Sequence, residues 1–139
     1  MVDIHSIIAT HKKREVDSSK IDANSFPAPT FSDIPDIFFD EILVNYRLTR
    51  VEIVILMYLY RRVWSKANPY REHGISQLMS MSEIVEKLQI SLEEIHQSIL
   101  KLENFGFIST IRVGQYFVRR FFTKENDEYH GQYYDDFDV

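Results

Sequence analysis

Apolar residues recur along this chain with two different periods. Ile34, Phe38, Ile42 and Tyr46 stand four residues apart, a helical stripe that Phe39 and Leu43 are expected to widen. Pro35 follows Asp33 by two positions, and proline is favoured in the first turn of a helix. The stretch from Ile53 to Leu59 is apolar almost all round, so residues 50–65 (RVEIVILMYLYRRVWS) predict a long central core helix. Pro69 closes it, because proline cannot continue the hydrogen-bond ladder. Two shorter helices are expected at 81–88 and 92–104, and Ile95, Ile99 and Leu102 give the second a buried face. Gly106 suits the left-handed cap that ends it.

Capping chemistry agrees with these starts. Thr49, Ser80 and Ser91 are each followed three residues later by a glutamate, Glu52, Glu83 and Glu94. In such a box the hydroxyl accepts from an orphan backbone N–H and the carboxylate reaches back to the cap. Between the helices the pattern changes. Gly74 frees the chain for a short strand at 75–79, and strands are expected at 107–113 and 116–122 around Gly114-Gln115, read as a two-residue type II′ turn. That register sets Arg112 opposite Phe117 and Thr110 opposite Arg119.

The order is helix, helix, strand, helix, helix, hairpin: mainly α with a small β-sheet, the winged helix-turn-helix arrangement. Ile84, Val85, Leu88, Ile90, Ile95, Ile99 and Leu102 fall where its core needs apolar residues. Residues 1–30 carry little periodicity and read as a flexible leader with a basic knot, HKKR at 11–14. Residues 31–123 form the expected domain. Residues 124–139 are acidic, aromatic and aperiodic, and are expected to be disordered.

Composition narrows the class. At 139 residues and 45% apolar the chain has enough for one domain with a real core. It has no cysteine, which excludes disulfides and thiolate metal sites, and its five histidines are scattered without metal-ligand spacing. No signal peptide is visible, and the longest apolar run is far below a membrane span, so a cytoplasmic protein with no membrane role is expected. Net charge is −5, but residues 44–90 carry seven basic and four acidic side chains and residues 105–124 four basic and none acidic. A basic middle thus lies between acidic ends.

Three stretches, IPDIFFDEIL, LTRVEIVILMYLYRRVW and MSEIVEKLQISLEEIHQSILKLENFGFI, carry a resemblance. Together with the hairpin, over roughly residues 34–122, the chain resembles the N-terminal winged-helix domain of phage and plasmid replication initiators and replisome organisers. The resemblance implies DNA binding, in replication or in transcription regulation.

In a winged helix the third helix enters the major groove and the wing reaches along the backbone. If helix 92–104 buries Ile95, Ile99 and Leu102, then His96, Gln97 and Lys101 face bases. Arg47, Arg50, Arg61, Arg62, Arg112, Arg119 and Arg120 are the candidates for phosphate and wing contacts. Glu93 and Glu94 oppose this, although in the first helical turn they also favour the helix dipole. The alternative is a protein-interaction module on the same scaffold, working through the acidic third helix or through the tail 125–139, where YYDDF joins aromatics to carboxylates. FFDEIL has apolar residues on more than one face, compatible with a homodimer. No glycine-rich phosphate loop or nucleophile constellation is present, so a non-enzyme without a cofactor is expected.

Overall fold

A computed structural model of the chain describes residues 27–134. The expected leader, including HKKR at 11–14, lies outside the described residues up to position 26, and so do residues 135–139 of the tail. The described residues from 32 onward belong to one unit, and before them only an exposed stretch without helix or strand, 27–31, is described.

The unit is mainly helical with one two-stranded antiparallel sheet. Helix α1 opens as a π-turn, Phe38–Ile42, and runs into Leu43–Asn45. Helix α2 is α-helical over Arg50–Tyr60 and closes with a second π-turn, Arg61–Ser65. Helices α3 (Met81–Leu88) and α4 (Leu92–Asn104) follow, then strands β1 (Ile108–Arg112) and β2 (Gln115–Val118), then helix α5 (Lys124–Tyr129). The expected bounds of the third and fourth helices, 81–88 and 92–104, are reproduced.

The core is built around α2. Ile55, Leu56, Leu59, Tyr60, Val63 and Trp64 are buried against Ile84, Ile95, Ile99 and Leu102 of the helix pair and Phe107, Ile108 and Val118 of the hairpin. In the π-turn Val63 and Trp64 are buried while Arg61 is exposed, continuing the paired burial of Ile55-Leu56 and Leu59-Tyr60. The α1 stripe holds at Phe38 and Ile42, but Phe39 and Leu43 do not widen it. Phe39 is 52% exposed, because α1 presents one narrow seam to the core.

The three capping boxes differ. At Thr49 both halves form: the hydroxyl accepts from Glu52 N–H at 3.2 Å, and the Glu52 carboxylate accepts from Thr49 N–H at 3.0 Å. At Ser91 the hydroxyl accepts from Glu94 N–H. At Ser80 no side-chain cap forms; its hydroxyl pairs with that of Ser82, and Glu83 is drawn to Arg62 and Lys87 instead. Thr49→Ala is therefore expected to destabilise the fold by about 1 kcal/mol, while Ser80→Ala stays within about 0.5 kcal/mol, measured by urea denaturation.

The sheet corrects two expectations. Residues 75–79 make no regular strand; Ile75 alone forms an antiparallel bridge, to Phe117. Backbone bonds from Ser76 N–H to Tyr116 O at 2.9 Å and from Met79 N–H to Gly114 O at 2.7 Å join it to the hairpin, and side chains add to them. Asn68 donates to Ile75 O at 2.7 Å, the Ser76 hydroxyl accepts from Tyr116 N–H at 3.1 Å, and Gln115 donates to Ser76 O. The hairpin turn is also one residue earlier than expected, at Val113-Gly114, with Arg112 opposite Gln115. A bulge between Thr110 and Arg112 then sets Thr110 opposite Tyr116 and Ser109 opposite Phe117. Gly114 takes φ +89°, and a Cβ there would stand 2.1 Å from Met79 O, so the 75–79 segment fixes where the glycine must fall.

The second expected strand, 116–122, stops at Val118, and the chain beyond it is not loose through residue 134. Phe122 adopts φ +73°, an unusual backbone for a bulky residue. It is fully buried, stacked on Tyr60 with ring centroids 5.0 Å apart. Thr123 then caps α5 by accepting from Asn126 N–H. Asp127, on α5, accepts from Phe121 N–H at 2.8 Å, from Tyr134 O–H at 2.7 Å and from Arg119 at 3.3 Å. Burial raises the Asp127 pKa above the ordinary carboxylate value and outweighs those three bonds, which lower it. Burial also raises the Tyr134 hydroxyl. This clamp is what gives order to a sequence with no apolar period.

Candidate nucleic-acid interface

The helix pair α3–α4 turns at Gln89, which takes the left-handed conformation at φ 55°, and at Ile90, which is buried. The turn leaves α4 with one buried face and one open one. Ile95, Ser98, Ile99 and Leu102 are buried, while Glu93, His96, Gln97, Leu100 and Lys101 are exposed. The three expected base-facing residues thus share the open face. Their amide and ammonium groups have local partners: Gln97 donates to Glu93 at 3.4 Å, and Lys101 Nζ lies 5.4 Å from the Phe105 ring centre.

The expected phosphate set falls in several places. Arg47 and Arg50 are exposed at the start of α2. Eleven residues separate Arg50 from Arg61, about 16 Å along a helix axis. Arg112 is exposed near the hairpin tip, where its Nε donates to Gln115 at 3.1 Å. Arg119 is engaged inside the fold: it donates to Gly106 O at 3.1 Å and pairs with Asp127, with only 14% of its side chain exposed. Arg120 lies over the Trp64 and Phe121 rings, at 5.6 and 5.8 Å.

Arg61 and Arg62 do meet other cations. They line a groove of about 370 Å³ with Lys66, Lys87, Tyr58 and Gln77. The π-turn at the end of α2 supplies the arginines, and Lys87 comes from the last turn of α3. Glu83 holds the groove together, 3.2 Å from Arg62 and 3.6 Å from Lys87. Tyr58 adds a bond, its hydroxyl accepting from Arg62 at 3.4 Å. Four cations thus stand against one carboxylate, a local excess of positive charge in an acidic chain. Among the described residues no cluster of His, Asp and Glu is placed to hold a metal ion, and no helix is long and apolar enough to cross a membrane.

No family model, curated protein or solved structure matches this chain. The site therefore rests on its own geometry. Of the groove's lining only Arg61 and Arg62 were among the candidates named from the sequence. Lys87 sits four residues after Glu83 on α3, a spacing that by itself marks only a surface ion pair. Nothing in the sequence says that the end of α2 lies across from it.

Proposed function

We propose that this chain is a DNA-binding winged-helix protein, regulatory or replication-associated, that holds duplex DNA by the α2–α3 groove and presents α4 to the major groove. The observation that carries the reading is the groove itself. In a helix-turn-helix the first helix of the pair crosses the phosphate backbone while the second meets base edges. Here α3 is the first helix, and its Lys87 shares a groove with Arg61, Arg62 and Lys66. The next helix exposes His96, Gln97 and Lys101. Gln97 suits an adenine edge, and its bond to Glu93 orients the amide. Arg112 at the hairpin tip serves as the wing contact, with Arg47 and Arg50 as outlying phosphate ligands. Arg119 is left out of the contact set because its guanidinium is held by Asp127 and Gly106. Arg120 is left out because it packs on aromatic rings. The reading involves no catalytic step.

Each phosphate neutralised releases counterions, so affinity falls with salt by a slope proportional to the number of contacts. Binding of a labelled duplex of random sequence is expected at about 50 mM salt and should weaken steeply toward about 200 mM. Arg61→Ala and Lys87→Ala should each flatten the log–log slope by about one. Lys124→Ala, an exposed cation on α5, should leave it unchanged. Absence of binding at the low-salt end, or equal slopes for all variants, overturns the reading.

A further inference from the structure

A second concavity lies between α4 and the hairpin, with a volume of about 270 Å³. Its walls are Ile99, Leu100, Val113 and Tyr116, and its rim carries His96, Glu103 and Thr110. The volume is below the roughly 300–1,000 Å³ of pockets that enclose a whole small ligand, and suits one or two side chains. Leu100 is 62% and Val113 70% exposed. Val113 occupies the hairpin turn, a position where Gly, Asn, Asp and Ser are usual and where the fold itself has no need of an apolar side chain. Leu78, 57% exposed, extends the apolar surface, since it stands 3.4 Å from where a Cβ at Gly114 would be.

The border of this groove is acidic. Glu93 lies on the same helical stripe as Leu100, two turns earlier. Glu103 is at the other end of the groove, where its carboxylate accepts from the Thr110 hydroxyl. The nearest cation on α4, Lys101, leans toward Phe105. An apolar slot with a carboxylate toward each end is complementary to an apolar side chain flanked by a cation.

We propose that this groove docks a peptide segment of another protein in which an apolar side chain is followed by a basic one. The apolar side chain fills the slot between Leu100 and Val113, and the cation meets Glu103 or Glu93. The site is distinct from the α2–α3 groove but shares His96 with the α4 face proposed for DNA, so peptide and duplex would compete for it, and peptide binding is tested here without duplex.

The test is a titration of the full chain, labelled with nitrogen-15, by the peptide acetyl-Ser-Leu-Leu-Lys-Arg-Ser-amide. Saturable shifts at the amides of Ile99, Leu100, Thr110 and Val113 are expected, with a Kd of order 1 mM or tighter. Two control peptides, one with serines for the leucines and one with glutamates for the basic pair, should each bind about tenfold more weakly, a difference of about 1.4 kcal/mol. Val113→Ser, at an exposed turn, should weaken the parent peptide by a similar factor while leaving the spectrum of the folded chain otherwise intact. Shifts that map elsewhere, that appear equally with both controls, or that persist unchanged in Val113→Ser would overturn the proposal, as would no binding at several times about 1 mM peptide.

Discussion

Gly114→Ala is expected to destabilise the fold by about 3 kcal/mol or more. Two separate effects add at this position. The backbone is left-handed, at φ +89°, which strains any residue with a Cβ by about 1–2 kcal/mol. The new methyl would also stand 2.1 Å from Met79 O, a backbone atom with no side-chain freedom to give way. Relief requires moving Met79 and breaking the 2.7 Å bond from its N–H to Gly114 O. Besides that bond the 75–79 segment is tied to β2 by one bridge, the bond from Ser76 N–H to Tyr116 O and a few side-chain bonds, so its end at Met79 is expected to detach from the hairpin first. Thermal denaturation should show a midpoint lower by roughly 10 °C or more for a domain of this size. Gly106→Ala makes the control: φ is +84°, but nothing lies within 4 Å of the new Cβ, so only the strain of about 1–2 kcal/mol should appear. Equal losses in the two variants would mean that the contact with Met79 is not as close as described.

The second large effect belongs to Asp127→Ala, expected to destabilise by about 3–5 kcal/mol, the usual range when one partner of a buried ion pair is removed. Asp127 is 1% exposed and joins three elements: Arg119 after β2, the Phe121 backbone and Tyr134 beyond α5. Its loss leaves the Arg119 guanidinium with the Gly106 carbonyl and the Phe117 ring but no counter-charge, and Phe121 N–H without its acceptor. Tyr134 still accepts from Arg120 N–H at 2.8 Å but loses its own acceptor. Far-ultraviolet and near-ultraviolet circular dichroism during urea unfolding would read the loss.

The same carboxyl has a pH signature. Burial raises its folded pKa above the ordinary 3.8, so the folded state holds that proton more tightly than the unfolded chain does. Its stabilising contribution is complete below the ordinary value and is lost as pH rises through the raised one. Between those two values the wild type should therefore lose stability relative to Asp127→Asn as pH increases. A constant difference between the two proteins across that window would mean that the carboxyl titrates normally in the fold.

Much of the helical frame was legible in the sequence because caps and apolar stripes are local. Thr49 and Ser91 mark their helices correctly, and Ile95, Ile99 and Leu102 are buried as their spacing requires. Ser80 marks its helix start without capping it: its hydroxyl pairs with that of Ser82, and the Glu83 carboxylate is engaged by Arg62 and Lys87. The hairpin register was misjudged because Gly114 serves the second turn position. The deciding contact, Met79 against Gly114, comes from a segment more than thirty residues earlier. Order after Thr123 was invisible for a similar reason. Asp127 and Tyr134 look like parts of a solvated acidic tail until Arg119 and Arg120 are seen beside them. In the candidate site, Arg61 and Arg62 were read as phosphate contacts from the sequence, while Lys87, which shares their groove, lies on another helix. The grouping of cations depends on how α2 packs against α3, and no local pattern encodes that.

Whether this surface holds nucleic acid is read most directly by following backbone amide signals of the full chain while a duplex of about 20 base pairs is added at about 50 mM salt. Residues 58–67, Gln77 and Lys87 should respond together with His96, Gln97 and Lys101, and the responses should fade in parallel as salt is raised. Signals that stay still in both regions, or that move only around Arg119, Arg120 and α5, would contradict the assignment of the α2–α3 groove as the phosphate-binding surface.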